Sequence, residues 1–386
     1  MKKIVLILLC FVLITSNLFS QENSVSATIE GQAIGWTNLN FANDFASQWG
    51  GRYIPELSLE YNRNNDWKID GEFSANAYGV KTYQNENWTG DSDLKPYRSW
   101  IRFSNEQFEL RAGLQKINFG SANMLRPLMW FDKMDPRDPL GLTDGVNALL
   151  ARYYFLNNAN VWLWALYGNE DPRGWDMLPS NKRIPEMGGR IQLPLFNGEF
   201  GITYHHRTIG GDSVSLSNGS SMYFSEEFPQ TKIGLDGRWD IGPGIMFEYA
   251  MKSNSITENN LYSYENQLTL GIDYTFGIGN GLTTMLEHFS WAGSRDEIFN
   301  TTDHFQFTAL NMTYPIGMMD NLSAIIYYSW GDESWYRFVN WGRQYDKISL
   351  YLMAYWNPDK FNIMPNADNT NLFSGQGFQL MLTYNH

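Results

Sequence analysis

Along much of the chain, apolar and polar residues alternate with a period of two, which is the signature of a β-strand turning successive side chains to opposite faces. Between Gln267 and Phe276, the residues Leu268, Leu270, Ile272, Tyr274 and Phe276 share one face, and Gln267, Thr269, Gly271, Asp273 and Thr275 share the other. Ile233, Leu235, Trp239 and Ile241 oppose Lys232, Asp236, Arg238 and Asp240 in the same way. Ile245, Phe247, Tyr249 and Met251 oppose Met246, Glu248, Ala250 and Lys252, and Trp67, Ile69, Phe73 and Ala75 oppose Lys68, Asp70, Glu72, Ser74 and Asn76. Each such strand has one face for an apolar medium and one for water.

The segments between these strands fall into two kinds. Short turns are expected at 63–66, 105–107, 156–159, 196–198, 241–244, 277–280, 317–321 and 357–360, and longer polar loops around 40–52, 84–95, 120–147, 169–186, 208–229, 255–263, 293–303, 331–346 and 366–375. Their alternation predicts an all-β fold, a transmembrane antiparallel up-and-down β-barrel of about 18 strands, with 16 as the alternative count. Tyr61, Trp67, Trp239, Tyr274, Phe276, Tyr328, Trp330, Tyr355 and Trp356 lie near expected strand ends, as interfacial aromatic girdles require. The competing architecture is a secreted soluble sandwich or propeller. A packed sandwich core would exclude the charges that run along the polar face of these strands.

Composition narrows the class further. The 386 residues are 16% aromatic and only 18% charged. Beyond the first 21 residues no apolar run is long enough for a spanning helix. Residues 1–21 have the form of an export signal: basic Lys2 and Lys3, an apolar run from Ile4 to Ile14, and a polar end with the cut at Ser20 or Gln21. The remainder, 22–386, is expected to be a single outer-membrane barrel domain. Cys10, the only cysteine, lies in the apolar run behind Leu8 and Leu9, where no lipid-attachment pattern stands. The exported chain therefore has no disulfide, zinc thiolate or thiol nucleophile. A net charge of −13 excludes nucleic-acid binding. Phosphate-loop, His-Glu-x-x-His and Gly-x-Ser-x-Gly motifs are absent from the sequence, so no catalytic residue, metal or cofactor is expected.

The stretches Arg111 to Gly120, Leu125 to Asp132, Asp138-Pro139-Leu140 and Thr143 to Val146 resemble porin-type outer-membrane barrels of Bacteroidota, and are similar, more loosely, to the alginate-export barrels. The resemblance implies a barrel in the outer membrane of a Gram-negative bacterium, and names no solute. At the C-terminus, Phe378, Leu380, Leu382, Tyr384 and His386 share one face. This resembles the assembly signal of outer-membrane barrels, which implies the barrel-assembly machinery as a partner; His386 stands where an aromatic residue is usual.

If the apolar face meets outer-membrane lipid, Glu56, Glu60, Asp70 and Glu72 face the lumen, followed round the wall by Arg98, Arg102, Arg111, Arg152, Arg190 and Arg207. An acidic wall beside a basic arc would set a field across a pore; pairing across neighbouring strands is the alternative. The loop at 121–147 holds Arg126, Asp132, Lys133, Asp135, Arg137, Asp138 and Asp144 among Met124, Leu125, Leu128, Met129, Trp130 and Phe131. So many large apolar residues predict that it folds inward as the pore constriction, with an extracellular lid as the alternative. A second loop, Asp171 to Arg183, would contribute from above. Trp335, Tyr336, Phe338, Trp341 and Tyr345 suit either saccharide guiding or headgroup contacts.

The expected function is passive diffusion of small hydrophilic solutes, saccharides among them. The alternatives are a non-conducting structural or surface-assembly barrel engaging polysaccharide or a protein partner, and, more remotely, an outer-membrane lipase. The lipase reading rests on His288 and Ser290, which share a strand face, although Trp291 stands where that family has Asn. His205 and His206 face opposite ways and cannot jointly bind a metal.

Overall fold

The computed structural model describes residues 23–41, 46–63, 67–210, 213–215, 221–223, 227–255, 261–359 and 373–386. The export segment read at 1–21, with Cys10, lies outside them. The strands are β1 (Asn23–Asn40), β2 (Ala46–Arg63), β3 (Trp67–Gln84), β4 (Asn87–Ser104), β5 (Phe108–Gln115), β6 (Val146–Tyr154) and β7 (Asn160–Leu166). They continue as β8 (Glu186–Leu195), β9 (Gly198–Ile209), β10 (Ser213–Ser215), β11 (Ser221–Tyr223), β12 (Phe228–Asp240), β13 (Gly244–Asn254) and β14 (Tyr264–Phe276). The last are β15 (Leu282–Ser294), β16 (Asp303–Pro315), β17 (Asp320–Ser329), β18 (Ser334–Gln344), β19 (Ile348–Trp356) and β20 (Gln376–Asn385).

All but β10 and β11 form one 18-stranded sheet. Each strand pairs antiparallel with its neighbours in sequence, β9 passing directly to β12 while β10 and β11 make a small hairpin between them. β1 then pairs with β20, from Gln32 opposite Asn385 to Asn40 opposite Gly377, and the sheet closes into a barrel. Closure leaves no sheet edge within the wall, the condition for β-structure in hydrocarbon, where no water can satisfy an unpaired N–H or C=O. The outer face carries exposed Ile69, Phe73, Ile101, Leu163, Ile191, Ile202, Leu270 and Ile272. The inner face carries buried Arg190, His205, Arg207, Lys232, Asp236, Glu248, Lys252 and Glu287. This is an apolar exterior and a polar lumen.

Four boundaries differ from the sequence expectation, the first being that β2 already begins at Ala46, inside the loop expected at 40–52. The polar stretch 84–95 is not a loop: Asn85 and Glu86, with φ of 50° and 62°, make a two-residue turn, and β4 begins at once. Residues 87–94 are exposed at every position, so this part of the hairpin is polar on both faces and reads as loop. Residues 334–344, expected within a loop, are β18, whose inward Tyr336 and Phe338 are as apolar as its outward Trp335 and Val339, so no alternation marks it. The turn expected at 357–360 is the start of a long connection from Trp356 to Gln376, and the short turn lies at 344–348. The two displacements offset each other, and the strand count stays at 18. Leu270 lies at the middle of β14 and points outward. Leu270→Arg should cost about 2–4 kcal/mol of barrel stability in lipid vesicles, measured by urea unfolding, while the same change at the terminal Phe276 should cost about 0–1 kcal/mol.

Candidate functional site

The 30-residue connection between β5 and β6 runs through the lumen. Its backbone is held by two carboxylates on the opposite wall. Glu248 on β13 accepts from the N–H groups of Ala122 (2.7 Å) and Leu128 (3.0 Å). Glu287 on β15 accepts from Asn123 (2.7 Å), Met124 (3.0 Å) and Leu125 (2.8 Å). Ser121 donates its hydroxyl to the Phe247 carbonyl (2.9 Å), and Thr269 on β14 donates to that of Leu125. A buried chain segment needs partners for its peptide groups, and here wall carboxylates supply them.

The large apolar side chains of this loop fill the space on either side of that attachment. Met124 and Leu125 pack with Phe289, Phe307, Tyr327 and Phe338 of the wall. Leu128, Trp130 and Phe131 pack with Phe119, Leu150, Trp164 and Ala250. Leu125, Leu128 and Phe131 are at most 2% exposed, so this half of the lumen holds a packed core.

The second inward loop, 167–185, locks onto the first. Gly174 donates its N–H to the Asp132 carbonyl (3.1 Å), and the Trp175 indole donates to that of Arg126 (2.9 Å). Gly174 has φ of +52°, and a Cβ there would lie 1.7 Å from the Met129 oxygen, so glycine is required where the loops cross. Asp176 sits among Arg207 (3.2 Å), Lys252 (3.1 Å) and Lys232. Burial alone would raise the Asp176 pKa; the three cations outweigh burial and hold the carboxyl well below its ordinary range. Arg173 pairs with Glu186 (2.8 Å), which also bonds His205 (3.0 Å).

Most charges singled out in the sequence are engaged locally. Arg126 pairs with Asp132 (3.2 Å), Arg137 with Asp135 (2.6 Å) and Asp144 with Lys95 (2.7 Å). Asp138 accepts from the N–H groups of Leu140 (2.9 Å) and Leu142 (3.0 Å), and burial pushes its carboxyl pKa up. Lys133 is different: among the described residues only its backbone N–H is engaged, donating to the Thr143 hydroxyl (2.9 Å), and its side chain is exposed. Arg98 anchors the end of the loop through the Thr143 carbonyl (2.9 Å). Arg102 grips Asp70 with two bonds (3.0 and 2.8 Å), and Arg190 grips Asp236 (2.9 Å). Arg111 (2.9 Å) and Arg152 (3.7 Å) converge with Arg102 on Glu109. Arg102 and Asp70, on the adjacent β4 and β3, join the basic arc to the acidic wall; Arg111, Arg152 and Arg190 find carboxylates elsewhere, Glu109 on β5 and Asp236 on β12.

Sequence reasoning did not single out Glu109, Asp176 or Glu287 as lumen residues, and placed Glu248 only on a polar face. The signal was present for Glu109, which shares the face of Arg111, and for Glu287, which shares that of Phe289. Among the expected aromatics, Tyr336 and Phe338 are buried in the lumen, while Trp335 and Tyr345 are 48% exposed. Tyr355, expected in the interfacial girdle, is also inside, 1% exposed. His288 and Ser290 lie on the outward face of β15, where His288 bonds the Thr308 hydroxyl (2.9 Å). Phe378, Leu380, Leu382 and Tyr384 lie on the outer face of β20, and the His386 ring bonds the Tyr53 hydroxyl (3.1 Å).

The lumen is filled unevenly. Arg190, Thr203, Lys232, Glu248 and Glu287, which point inward from β8 to β15, are at most 3% exposed under the two loops. On β1 to β3, Glu56, Glu60, Asp70 and Glu72 remain half-exposed and Glu30 is exposed. Aqueous space thus remains along the carboxylate-bearing wall, with a further opening of about 350 Å³ at the inner faces of β16 to β19.

No protein-family model and no curated protein matches the chain. Among solved structures, OmpT of Vibrio cholerae, an outer membrane protein in its trimer form, superposes with a TM-score of 0.54 at 11% identity, over 94% of this chain and 100% of that one. OccK5 (OpdH) of Pseudomonas aeruginosa superposes with a TM-score of 0.55 at 10% identity, over 94% and 98%. The likeness is one of fold. A closed antiparallel barrel with an apolar exterior is built to span a bilayer, and this barrel type belongs to the outer membrane of Gram-negative bacteria.

Proposed function

We propose that the protein is a porin-like outer-membrane channel through which small hydrophilic solutes diffuse, with no covalent chemistry. The observation that carries this reading is the uneven filling of the lumen: the inserted loops cover the β8 to β15 wall, and the β1 to β4 wall keeps solvent-accessible charged side chains. The loop at 121–147 narrows the passage, Arg126, Asp132, Lys133, Asp135, Arg137, Asp138 and Asp144 forming its charged part. Along the passage Glu30 stands opposite Glu56 on the adjacent strand, and Glu60 opposite Asp70. Arg102 and Lys68 offset Asp70 and Glu60, which leaves Glu30, Glu56 and Glu72 to favour cations over anions. The outer face of β20, from Phe378 to His386, is proposed as the surface that the barrel-assembly machinery reads.

The dense packing of Leu125, Leu128, Trp130 and Phe131 with the wall supports a second reading, a plugged barrel that presents its long-loop side to polysaccharide or a protein partner. Single-channel recording of the refolded chain in a planar bilayer separates the two. The channel reading expects discrete openings that grow when residues 124–140 are deleted; the plugged barrel is silent until the deletion is made.

In a salt gradient the reversal potential should show cation preference, and the double variant Glu56→Gln with Glu72→Gln should weaken it. An unchanged potential would remove these carboxylates from the selectivity path. The Asp176 seat gives a pH prediction of definite sign. Its folded-state pKa lies below the unfolded one, so its stabilisation is complete above about pH 4 and is lost only as pH falls through the lower, folded value. Asp176→Asn should therefore cost about 3–5 kcal/mol at pH 7, read from urea unfolding in vesicles, and the same at pH 5. The difference should shrink only in stronger acid.

A further inference from the structure

The outward row of β18 to β20 carries exposed Trp335, Leu352, Trp356, Phe378, Leu380 and Leu382, and Arg337 interrupts this apolar surface. Strand pairing sets Arg337 beside Ile326 of β17 and Trp356 of β19 on the lipid-facing side, so the half-buried arginine has apolar neighbours on both flanks. The other arginine of this row, Arg343, has Asp320 at 3.7 Å; among the described residues no carboxylate lies within ion-pair reach of Arg337. The guanidinium lies 5.9 Å from the Trp335 ring centre, and an aromatic ring leaves its N–H groups without an acceptor.

The place of Arg337 is as specific as its isolation. β18 begins at Ser334, β19 ends at Trp356 and β20 begins at Gln376, which puts these residues at the end of the wall that bears the long connections, the level of the outer leaflet. Trp330, Trp335 and Trp356, between 41% and 54% exposed, mark the same level as an interfacial belt. A cavity of about 460 Å³ opens there on the outside of the barrel, bordered by Phe41, Trp335, Arg337, Trp356, Asp359 and Gln376. Phe41, Trp356 and Gln376 also border a second groove, where Phe378 continues the surface along the lipid face, its ring 5.6 Å from that of Phe41. The two charges of the cavity differ in setting. Arg337 is half-buried in the wall, whereas Asp359 is exposed beyond the end of β19, where water screens it.

We infer that this cavity binds the phosphate-bearing headgroup of an outer-leaflet lipid, with Arg337 on the phosphate and an acyl chain along the groove beside Phe41 and Phe378. The planar guanidinium offers parallel N–H groups to phosphate oxygens. The Trp335 and Trp356 indoles and the Gln376 amide bring further donors to the same cavity. Free phosphate would satisfy Arg337 and leave the groove empty; a neutral lipid would fill the groove and leave the cation without an acceptor. An amphiphile with an anionic head uses both. The site lies on the outer wall and is the same whether the lumen conducts or is plugged.

The test uses the full exported chain refolded in a non-ionic detergent, with bound lipid counted by native mass spectrometry and folding of every variant followed by heat-modifiable gel migration. Lipid A, which carries phosphates on an acylated sugar, should bind more tightly than its chemically dephosphorylated form. Arg337→Gln should weaken the first binding step about tenfold or more, the loss expected for a charged hydrogen-bonding group, and Arg337→Lys should retain part of the affinity. Lys81→Gln removes another cation of the outer face, beside Trp49 on the long-loop side of β3, and should leave binding unchanged. Asp359→Asn should leave it equal or tighter. Inorganic phosphate in large excess should not displace the lipid; full displacement would show a site for the anion alone and overturn the lipid assignment. Equal binding of the dephosphorylated lipid, undiminished binding by folded Arg337→Gln, or an equal loss in Lys81→Gln would mean that Arg337 only reaches past the apolar surface to water, and each overturns the proposal.

Discussion

The pairing of β20 with β1 is the interaction on which the rest depends. In a bilayer every peptide group of the wall must find its partner within the wall, and only closure achieves this for a sheet. Closure also fixes two environments at once. Because strand side chains alternate, each residue that turns an apolar group to lipid forces its neighbours into an enclosed interior. An interior lined by Arg190, Lys232, Asp236, Glu248 and Glu287 cannot stay dry and unpaired. Either water fills it or protein does, and here each takes part of the space.

Protein fills it where the wall offers acceptors. The segment from Ala122 to Leu128 has no helix or sheet to satisfy its backbone, and the two carboxylates of β13 and β15 accept five of its N–H groups. Carboxyl oxygens fixed on the wall that accept these N–H groups tie the loop to positions rather than to a general apolar surface. The second loop then fits into what the first leaves: Asp176 meets three cations of β9, β12 and β13, and Gly174 passes the Met129 carbonyl at a distance no side chain allows. The order of attachment along the wall gives the order of the layers.

Much of this was legible in the sequence, and the failures share a cause. Alternation marks a strand only where its two faces meet different media. Gln267 to Phe276, with lipid outside and polar groups inside, shows it clearly. Ser334 to Gln344 does not, because Tyr336 and Phe338 pack on the inserted loop while Trp335 faces outward. Asn87 to Leu94 fails in the opposite sense, since water bathes both faces. For the lumen, parity identified the inward charges, and sequence distance hid their partners. Asp176 lies 56 residues from Lys232, and Glu287 lies 164 from Asn123. No local pattern records a contact made across the bore of a barrel.

The same geometry explains why the open side of the lumen is the acidic one. Both inserted loops leave the wall after β5 and β7, bond to the strands from β9 to β15 and pack apolar side chains on β16 to β19, so the protein they bring lies against those arcs. On the far arc Glu30 faces Glu56, and Glu60 faces Asp70, across neighbouring strands. Like charges directly opposite destabilise a sheet, and in a packed interior the cost would be severe. Lys68 and Arg102 relieve one of these pairs; Glu56 accepts from the Ser58 hydroxyl, but among the described residues neither Glu30 nor Glu56 has an ion-pair partner, and water and mobile cations screen their repulsion. Their placement on the one arc that the loops leave uncovered is what an aqueous passage requires, and a lumen filled throughout by protein would place that repulsion where nothing screens it.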